Sequence, residues 1–160
     1  RAQNFRLAKS IIWEPACGDG AISKVLESHG LEVHSSDLND YGYGKVGVDF
    51  LAQTLTPPFV DTIITNAPFS LSAKFIAKSL DFMEAGSVGF IAILLKGTYW
   101  HAERRLKLFN RFPPAVLHPL TWRPDFRSLG APTMEMMWSV WRRAATSGVA
   151  QYVPLPRPTA

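Results

Sequence analysis

Short apolar runs alternate along the chain with stretches in which apolar residues recur every three or four positions. The first pattern is typical of buried strands and the second of amphipathic helices. The run at 88–95 is continuously apolar, as expected for a central strand covered on both faces. The predicted strands are Ile11 to Pro15, Val33 to Asp37, Val46 to Phe50, Asp61 to Thr65, Val88 to Leu95, Ala115 to His118 and Met134 to Arg142.

Helical patterns separate most of these strands. Glycines follow two of them, as is common at helix C-termini. Strands separated by helices indicate a parallel sheet, which binds ligands at the carboxyl ends of its strands. The predicted helices are a short one near Asn4 to Lys9, Ala21 to His29 before Gly30, one from Ser70 or Ser72 to Gly86, and a basic one at His101 to Arg111.

Length and composition fit one compact domain. The chain has 160 residues, of which 47% are hydrophobic and 19% charged, and it is expected to bury roughly 70% of its unfolded surface. We expect no membrane span, because no apolar stretch approaches about 18 residues, and no signal peptide. The single cysteine, Cys17, and the four histidines lack metal-ligand spacing, so no metal site is predicted.

Two loops carry the candidate chemistry, and the first follows the first predicted strand. Ile11-Ile12-Trp13 opens into Glu14-Pro15-Ala16-Cys17-Gly18-Asp19-Gly20. Glycines let a backbone approach a ligand where a Cβ would collide. The N-terminus of the following helix favours negatively charged groups. This loop suits a charged nucleotide that carries an amino acid.

The second loop, Asn66-Ala67-Pro68-Phe69, closes the apolar run at 62–65. An asparagine oxygen and a free carbonyl can accept both protons of an amino group, and an aromatic face can stack on the ring that carries it. The loop therefore suits an exocyclic amine. Because both loops follow strands of one parallel sheet, we expect them to form one site.

These motifs, in this order and spacing, resemble the class I S-adenosylmethionine-dependent methyltransferases that modify amino nitrogens, mostly adenine N6 in DNA. The stretch from Asp37 to Gly44, DLNDYGYG, is similar to small stand-alone phage-type DNA adenine methyltransferases. The resemblance implies an α/β, Rossmann-like fold with a mostly parallel sheet, a reversed C-terminal edge hairpin and helices on both faces. It covers residues 1–145 as a catalytic domain, with 146–160 as a Pro-rich tail.

The resemblance also implies S-adenosylmethionine as cofactor. Backbone groups of 16–20 would hold its methionine portion, and Glu14 or Asp19 would face its ammonium group. Asp37 would accept hydrogen bonds from the ribose hydroxyls. Asp49 would accept from the cofactor's adenine, on whose ring Phe50 or Leu38 would pack. The implied cofactor-binding residues are Glu14, Ala16, Gly18, Asp19, Gly20, Asp37, Leu38, Asp49, Phe50 and Asn66.

The catalytic residues implied are Asn66, Ala67, Pro68 and Phe69. Asn66 Oδ1 and the Ala67 carbonyl would accept the two amine protons, and Phe69 would stack on the extruded base, worth roughly 1 to 3 kcal/mol. Pro68 biases Ala67 to an extended conformation. The family has a second proline where Ala67 stands. Ala67 keeps the carbonyl but loses backbone restriction worth roughly 0.4 to 1 kcal/mol, so reduced activity is an expected consequence.

The charge balance fits a polyanionic substrate, with 17 Lys and Arg against 13 Asp and Glu. We expect DNA as the partner, although several arginines on one helix also suit a solvated face. The tail at 154–158 is interpreted as a loose end. The predicted substrate-binding residues are Lys96, Trp100, Arg104, Lys107, Arg123 and Arg127.

The sequence thus predicts a methyltransferase for adenine N6 in DNA. Little of the chain remains for a target-recognition domain, so we expect relaxed sequence specificity, and a bacterial or phage-infected host cytoplasm as location. Three alternatives stay open: an RNA guanine N2 methyltransferase, a protein glutamine methyltransferase, and a non-catalytic partner subunit that binds cofactor or nucleic acid. The sequence does not predict an oligomeric state.

Overall fold

A computed structural model describes residues 9–126, 130, 132–144 and 148–159. The short helix predicted near Asn4 to Lys9 lies, except for Lys9, outside these residues, as does Arg127.

Eight strands form one sheet in the order β3-β2-β1-β4-β5-β7-β6-β8. Strand β7 is antiparallel to β5 and β6, and the other neighbouring pairs are parallel. This confirms the predicted fold class, with its reversed strand near the C-terminus. The strands are β1 Ile11–Glu14, β2 Glu32–Asp37, β3 Lys45–Val46, β4 Thr62–Thr65, β5 Phe90–Lys96, β6 Val116–Pro119, β7 Met136–Arg142 and β8 Gln151–Tyr152.

Apolar side chains cover both faces of the sheet. Neighbouring residues of β1 belong to different clusters: Ile12 packs with Val116 and Val140, whereas Trp13 packs with Leu80 of the opposite layer. This division reflects the alternation of side chains along a strand. Helix α1, Ala21–Ser28, covers the first face, and α2, Ser72–Glu84, and α3, Leu106–Arg111, cover the second. In the part of the chain that is described, no helix combines the length and apolar character needed to cross a membrane.

The predicted basic helix at His101 to Arg111 is wrong in its first half. Residues 99–101 and 103–105 form two separate 3-10 turns, and Ala102 between them is extended. Tertiary contacts hold this segment: Trp100 Nε1 donates to Ser139 Oγ at 3.0 Å, and the Arg105 guanidinium lies 3.8 Å from the centre of the Tyr99 ring. Regular helix begins only at Leu106.

The predicted strand from Val46 to Phe50 is also wrong beyond its first residue. β3 ends at Val46, and Phe50–Ala52 form a 3-10 turn whose first N–H groups need a cap. The Asp49 side chain supplies it by accepting from Leu51 N at 2.9 Å. Phe50 is drawn inward to pack against Trp13 and Phe75.

The tail at 154–158, predicted as a loose end, is held at Leu155, which forms a bridge to Leu120. Just before it, strand β8 pairs in parallel with β6. The outer edge of β6 presents unpaired backbone groups, which an extended segment can satisfy. Because Gln151 and Tyr152 are exposed, no hydrophobic pattern marks this strand. The division into a catalytic domain at 1–145 and a tail at 146–160 stays a prediction.

This pairing predicts an alternating pattern of amide hydrogen exchange. The N–H groups of Gln151, Val153 and Leu155 donate to carbonyls of the β6 segment at 2.9 Å each, whereas the Tyr152 N–H points away from β6, as in any parallel pair. We expect the three bonded amides to exchange more slowly than Tyr152 in an NMR-detected exchange experiment. Equally fast exchange at all of them would contradict the pairing.

Candidate active site

A cavity of about 350 Å³ lies at the carboxyl edge of the sheet, within the size range of small-molecule sites. It lies where β1, β2 and β4 end, which brings the two predicted loops together in one wall. Its lining comprises Pro15, Ala16, Gly18, Asp37, Leu38, Asn39, Tyr41, Val48, Asp49, Phe50, Leu51, Asn66, Ala67, Pro68, Phe69, Leu71 and Phe75.

The Asp37 carboxylate connects two of the loops around this cavity. Its Oδ2 accepts from Gly18 N at 3.0 Å, and its Oδ1 accepts from Asn39 N at 2.9 Å. The residue is 8% exposed, at the carboxyl end of β2. Each carboxylate oxygen can accept a second hydrogen bond, so Asp37 can hold the loop and still bind a ligand hydroxyl.

The two glycines of the first loop have different surroundings. Gly18 lines the cavity with φ +54°, and a Cβ there would meet no atom within 4 Å. Gly20 has φ +85°, lies outside the lining, and a Cβ there would lie 2.6 Å from the Tyr43 ring. Of these two glycines, only Gly18 lines the cavity. Gly20 packs closely against Tyr43, and its contact with a cofactor stays a prediction.

The acidic residues of the first loop do not line the cavity. Glu14 is 1% exposed, because its side chain enters the interface between the sheet and α1, where the Ser23 hydroxyl donates to it. Ser23 Oγ also lies 2.6 Å from Ser35 Oγ. Asp19 is exposed outside the cavity lining, and its carbonyl accepts from Lys24 Nζ. Contact of either carboxylate with the cofactor's ammonium group therefore stays a prediction.

Burial raises the pKa of Glu14 to about 7. Hydrogen bonds from Ser23 favour the charged form and oppose this shift, whereas the negative charges of Asp19 and Asp37 add to it. A titrating carboxyl group therefore lies directly beneath the glycine loop.

The third segment of the lining surrounds Asp49. In the described contacts the Asp49 carboxylate accepts one hydrogen bond, from Leu51 N to Oδ1. Its Oδ2 can therefore accept a hydrogen bond from a ligand in the cavity that Asp49 lines. Leu38 is 57% exposed and can pack on a ring, whereas Phe50 is 2% exposed and belongs mainly to the core. Seven lining residues are not among the predicted site residues: Pro15, Asn39, Tyr41, Val48, Leu51, Leu71 and Phe75. Asn39 and Tyr41 lie within the DLNDYGYG stretch, and Val48 and Leu51 flank the segment that the resemblance assigns to the cofactor's adenine, so these four could have been found from the sequence.

The second loop places an unsatisfied acceptor at the cavity. Asn66 Oδ1 is buried and has no hydrogen-bond partner within the described part of the chain. Such a group costs roughly 1 to 3 kcal/mol, which a bound donor would relieve. The adjacent Ala67 is buried, and Phe69 is 37% exposed at the start of a 3-10 turn. The loop thus pairs a hydrogen-bond acceptor with an accessible aromatic ring.

Lys96 is the predicted substrate-binding residue that lies beside this loop. It ends β5, and its Nζ is 5.0 Å from the centre of the Phe69 ring, within the range of a cation–π contact. Arg123 lies further along the same edge and pairs with Glu135 at 2.8 Å. Arg104 and Lys107 are exposed and do not line the cavity.

Trp100 does not line the cavity, and its contact with substrate stays a prediction. Its ring packs at right angles or nearly so against Tyr99, Phe109 and Trp141, with centres 4.8 to 6.2 Å apart. Its Nε1 is engaged by Ser139. Trp100 is therefore part of the packing between the segment at 99–111 and the sheet. Within the described ranges, no group of three or more His, Cys, Asp or Glu side chains could hold a metal ion.

Comparison with known proteins gives matches among solved structures only, since no family model and no curated protein matches the chain. A Pyrococcus horikoshii protein described as an RNA methyltransferase is 15% identical, with a TM-score of 0.64 over 85% of this chain and 75% of its own. A Vibrio vulnificus protein described as the modification subunit of a type I restriction enzyme is 14% identical, with a TM-score of 0.57 over 94% and 44%. A dimethyladenosine transferase from Plasmodium falciparum is 16% identical, with a TM-score of 0.56 over 85% and 57%.

These similarities show the fold. The chain has the class I methyltransferase fold, as its resemblance to that superfamily predicted. It spans less than two thirds of the second and third of these neighbours, at 44% and 57% of their lengths.

The two glycines give a matched pair of substitutions. Gly20→Ala should destabilise the protein more than Gly18→Ala. An alanine at either position must adopt a left-handed conformation, which costs about 1 kcal/mol, but only the alanine at position 20 places its methyl group against the Tyr43 ring. Urea unfolding measures this difference. Equal losses of stability would contradict the role of Tyr43. Gly18→Ala should instead weaken ligand binding in the cavity more than Gly20→Ala does.

The raised pKa of Glu14 predicts that stability falls as the pH rises. The ordinary pKa is 4.5 and the folded value about 7, so the folded protein binds more protons than the unfolded chain between these values. This contribution is fully present below pH 4.5 and is lost as the pH rises through about 7, on the order of 3 kcal/mol in total. Glu14→Gln should remove this part of the pH dependence in urea unfolding, while the exposed Glu103→Gln should keep it. Identical pH profiles for wild type and Glu14→Gln would contradict the assignment.

Proposed function

We propose that this protein is an S-adenosylmethionine-dependent methyltransferase that acts on an exocyclic amine, adenine N6 in DNA, with relaxed sequence specificity. The observation that carries the proposal is Asn66 Oδ1, a buried acceptor without a partner in the described residues. Asn66 lines the same cavity as Gly18 and Asp37, whose backbone N–H and carboxylate suit a nucleotide.

The residues around the cavity fit the cofactor. Gly18 leaves open space for the methionine portion, and the free lone pairs of Asp37 suit the two ribose hydroxyls. Asp49 Oδ2 can accept from the adenine amino group, and Leu38 can pack on the ring. The bound cofactor would supply a methyl group on a positively charged sulfur.

The second loop would orient the accepting amine. An aryl amine is a weak nucleophile because its lone pair is delocalised into the ring. Asn66 Oδ1 and the Ala67 carbonyl, by accepting both protons, would hold the lone pair toward the methyl group. Pro68 disfavours a helical conformation at Ala67 and so favours an outward carbonyl. Positioning of this kind supplies most of the rate, without a covalent intermediate.

Phe69 would bind the base by stacking. Its exposed ring lies at the rim of the cavity with the Lys96 ammonium 5.0 Å from its centre. A positive charge at this position suits the phosphate next to an extruded nucleotide. Arg104, Lys107 and Arg123 would add phosphate contacts further away, and the net charge of +4 favours a polyanion. Arg127 stays a predicted phosphate contact from the sequence.

Adenine in DNA is the substrate that we favour. The neighbours in the comparison include a protein described as the modification subunit of a type I restriction enzyme and a dimethyladenosine transferase. Guanine N2 in RNA is the second candidate, because another neighbour is described as an RNA methyltransferase. The same two acceptors would suit either amine, as they would a protein glutamine.

Transfer of a labelled methyl group to DNA, RNA and protein in parallel tests the function. We expect N6-methyladenine in DNA in many sequence contexts. Asn66→Ala should lower the rate on the order of a hundredfold or more with little change in cofactor affinity, because the lost acceptor acts mainly in the transition state. Asn110→Ala, an exposed amide on α3, serves as the control.

The possible results separate the parts of the proposal. An unchanged rate in Asn66→Ala would reject the role of the second loop. A product confined to cytosine, RNA or protein glutamine would reject adenine in DNA while leaving the amine mechanism in place. Cofactor binding without transfer to any substrate would favour a non-catalytic partner subunit.

A further inference from the structure

A second cavity of about 510 Å³ lies beyond the first along the sheet. Its walls include Trp122, Arg123, Glu135 and Arg157, with Leu120 and Pro132 as apolar components. Strand β6 is parallel to β1, β2 and β4 through the pairing of the sheet, and residues 120–123 follow its carboxyl end. The two cavities therefore open at the same edge.

The C-terminal segment builds one wall of this cavity. Leu155 N donates to Pro119 O at 2.9 Å, and its carbonyl accepts from Thr121 N at 3.1 Å and from Thr121 Oγ1 at 2.9 Å. These bonds extend the pairing of β8 past the end of β6. They carry the chain onward so that Arg157 reaches the cavity.

The side chains of this cavity suit a ring that carries an anionic group. Trp122 is half-buried and offers an aromatic surface between apolar neighbours. Arg123 is neutralised by Glu135 at 2.8 Å, whereas Arg157 is exposed and has no ion pair with any described residue. The cavity thus combines an aromatic surface, on which a base can stack, with one guanidinium group that has no ion pair among the described residues and can bind a phosphate.

The spacing of the strands relates this cavity to Phe69. Three steps across the sheet, β4 to β5, β5 to β7 and β7 to β6, separate their ends. At about 4.8 Å a step, they span roughly 14 Å. A strand of duplex DNA advances about 3.4 Å per nucleotide, so this span covers about four nucleotides, and fewer in an extended strand.

We propose that the second cavity binds a nucleotide that flanks the target in the same strand, its base on Trp122 and its phosphate on Arg157. This inference rests on the proposed function, since it takes the substrate to be a nucleic acid. In this proposal the C-terminal segment helps to bind the substrate outside the cavity in which the reaction takes place.

Oligonucleotides of increasing length test the cavity. Each oligonucleotide would carry one adenine, flanked by zero to six thymines on its 5′ or its 3′ side. Methyl transfer would give KM, and fluorescence anisotropy would give Kd. For wild type we expect KM and Kd to fall at least tenfold once one flank reaches about four nucleotides. Arg157→Ala should lose this gain and keep the wild-type rate on the shortest oligonucleotides.

A matched control removes an arginine at the opposite edge. Arg143 follows the end of the antiparallel β7 and donates to Gly86 O, so Arg143→Ala changes the net charge equally but should keep the gain with length. Arg157→Lys should restore part of it. Trp122→Ala provides a second variant, expected to reduce the gain without a change in net charge.

The results distinguish this inference from the proposed function. Methylation by wild type with the full gain retained in Arg157→Ala would overturn the inference and leave the function standing. Absence of methylation at every length would reject the function, and anisotropy would then decide the inference: a length-dependent gain lost only in the cavity variants supports it. An acidic peptide that binds through Arg157 while oligonucleotides show no gain would overturn it in favour of a protein partner.

Discussion

The carboxylate of Asp37 is the interaction on which the geometry of the site depends. Parallel pairing brings the ends of β1, β2 and β4 to one edge, but it does not set the conformation of the loops that follow. Asp37 does so for two of them, because one oxygen binds Gly18 N and the other binds Asn39 N. Hydrogen bonds to a charged acceptor are roughly twice as strong as neutral ones. The open side of Gly18 is thereby fixed toward the cavity.

A buried polar layer supports this arrangement from below. Glu14, Ser23 and Ser35 connect β1, α1 and β2 by hydrogen bonds on one face of the sheet, and on the other face Trp13 Nε1 donates to Ser36 Oγ at 2.9 Å. A buried carboxyl group is costly unless its partners are well placed. The raised pKa of Glu14 reflects that cost. The loop that we propose for the cofactor therefore packs next to a carboxyl group, that of Glu14, whose charge changes near neutral pH.

The sequence was sufficient for those features that depend on local pattern. The continuous apolar run of β5 and the motifs after β1 and β4 predicted the sheet and the edge at which the loops meet. What it could not show depends on contacts between distant residues. The packing of Tyr43 on Gly20 joins residues 23 positions apart, and the burial of Glu14 requires α1 to cover its side chain.

The same limit explains the errors near the C-terminus. Strand β8 is short, exposed and paired with β6 through backbone bonds, so its two side chains carry no periodic signal. The interruption at Ala102 follows from contacts of Trp100 and Arg105 with residues outside a helix. Arg157 was missed for this reason, since only the pairing of the tail brings it to the second cavity.

The cofactor site can be tested by calorimetric titration with S-adenosylmethionine and S-adenosylhomocysteine. We expect both ligands to bind once per chain. Asp37→Ala should weaken the binding of both by roughly 1.5 to 3 kcal/mol, the value of hydrogen bonds to a charged group. Binding that is unchanged in Asp37→Ala would contradict the role of this carboxylate at the ribose. The absence of binding by the wild-type protein would contradict the cofactor site itself.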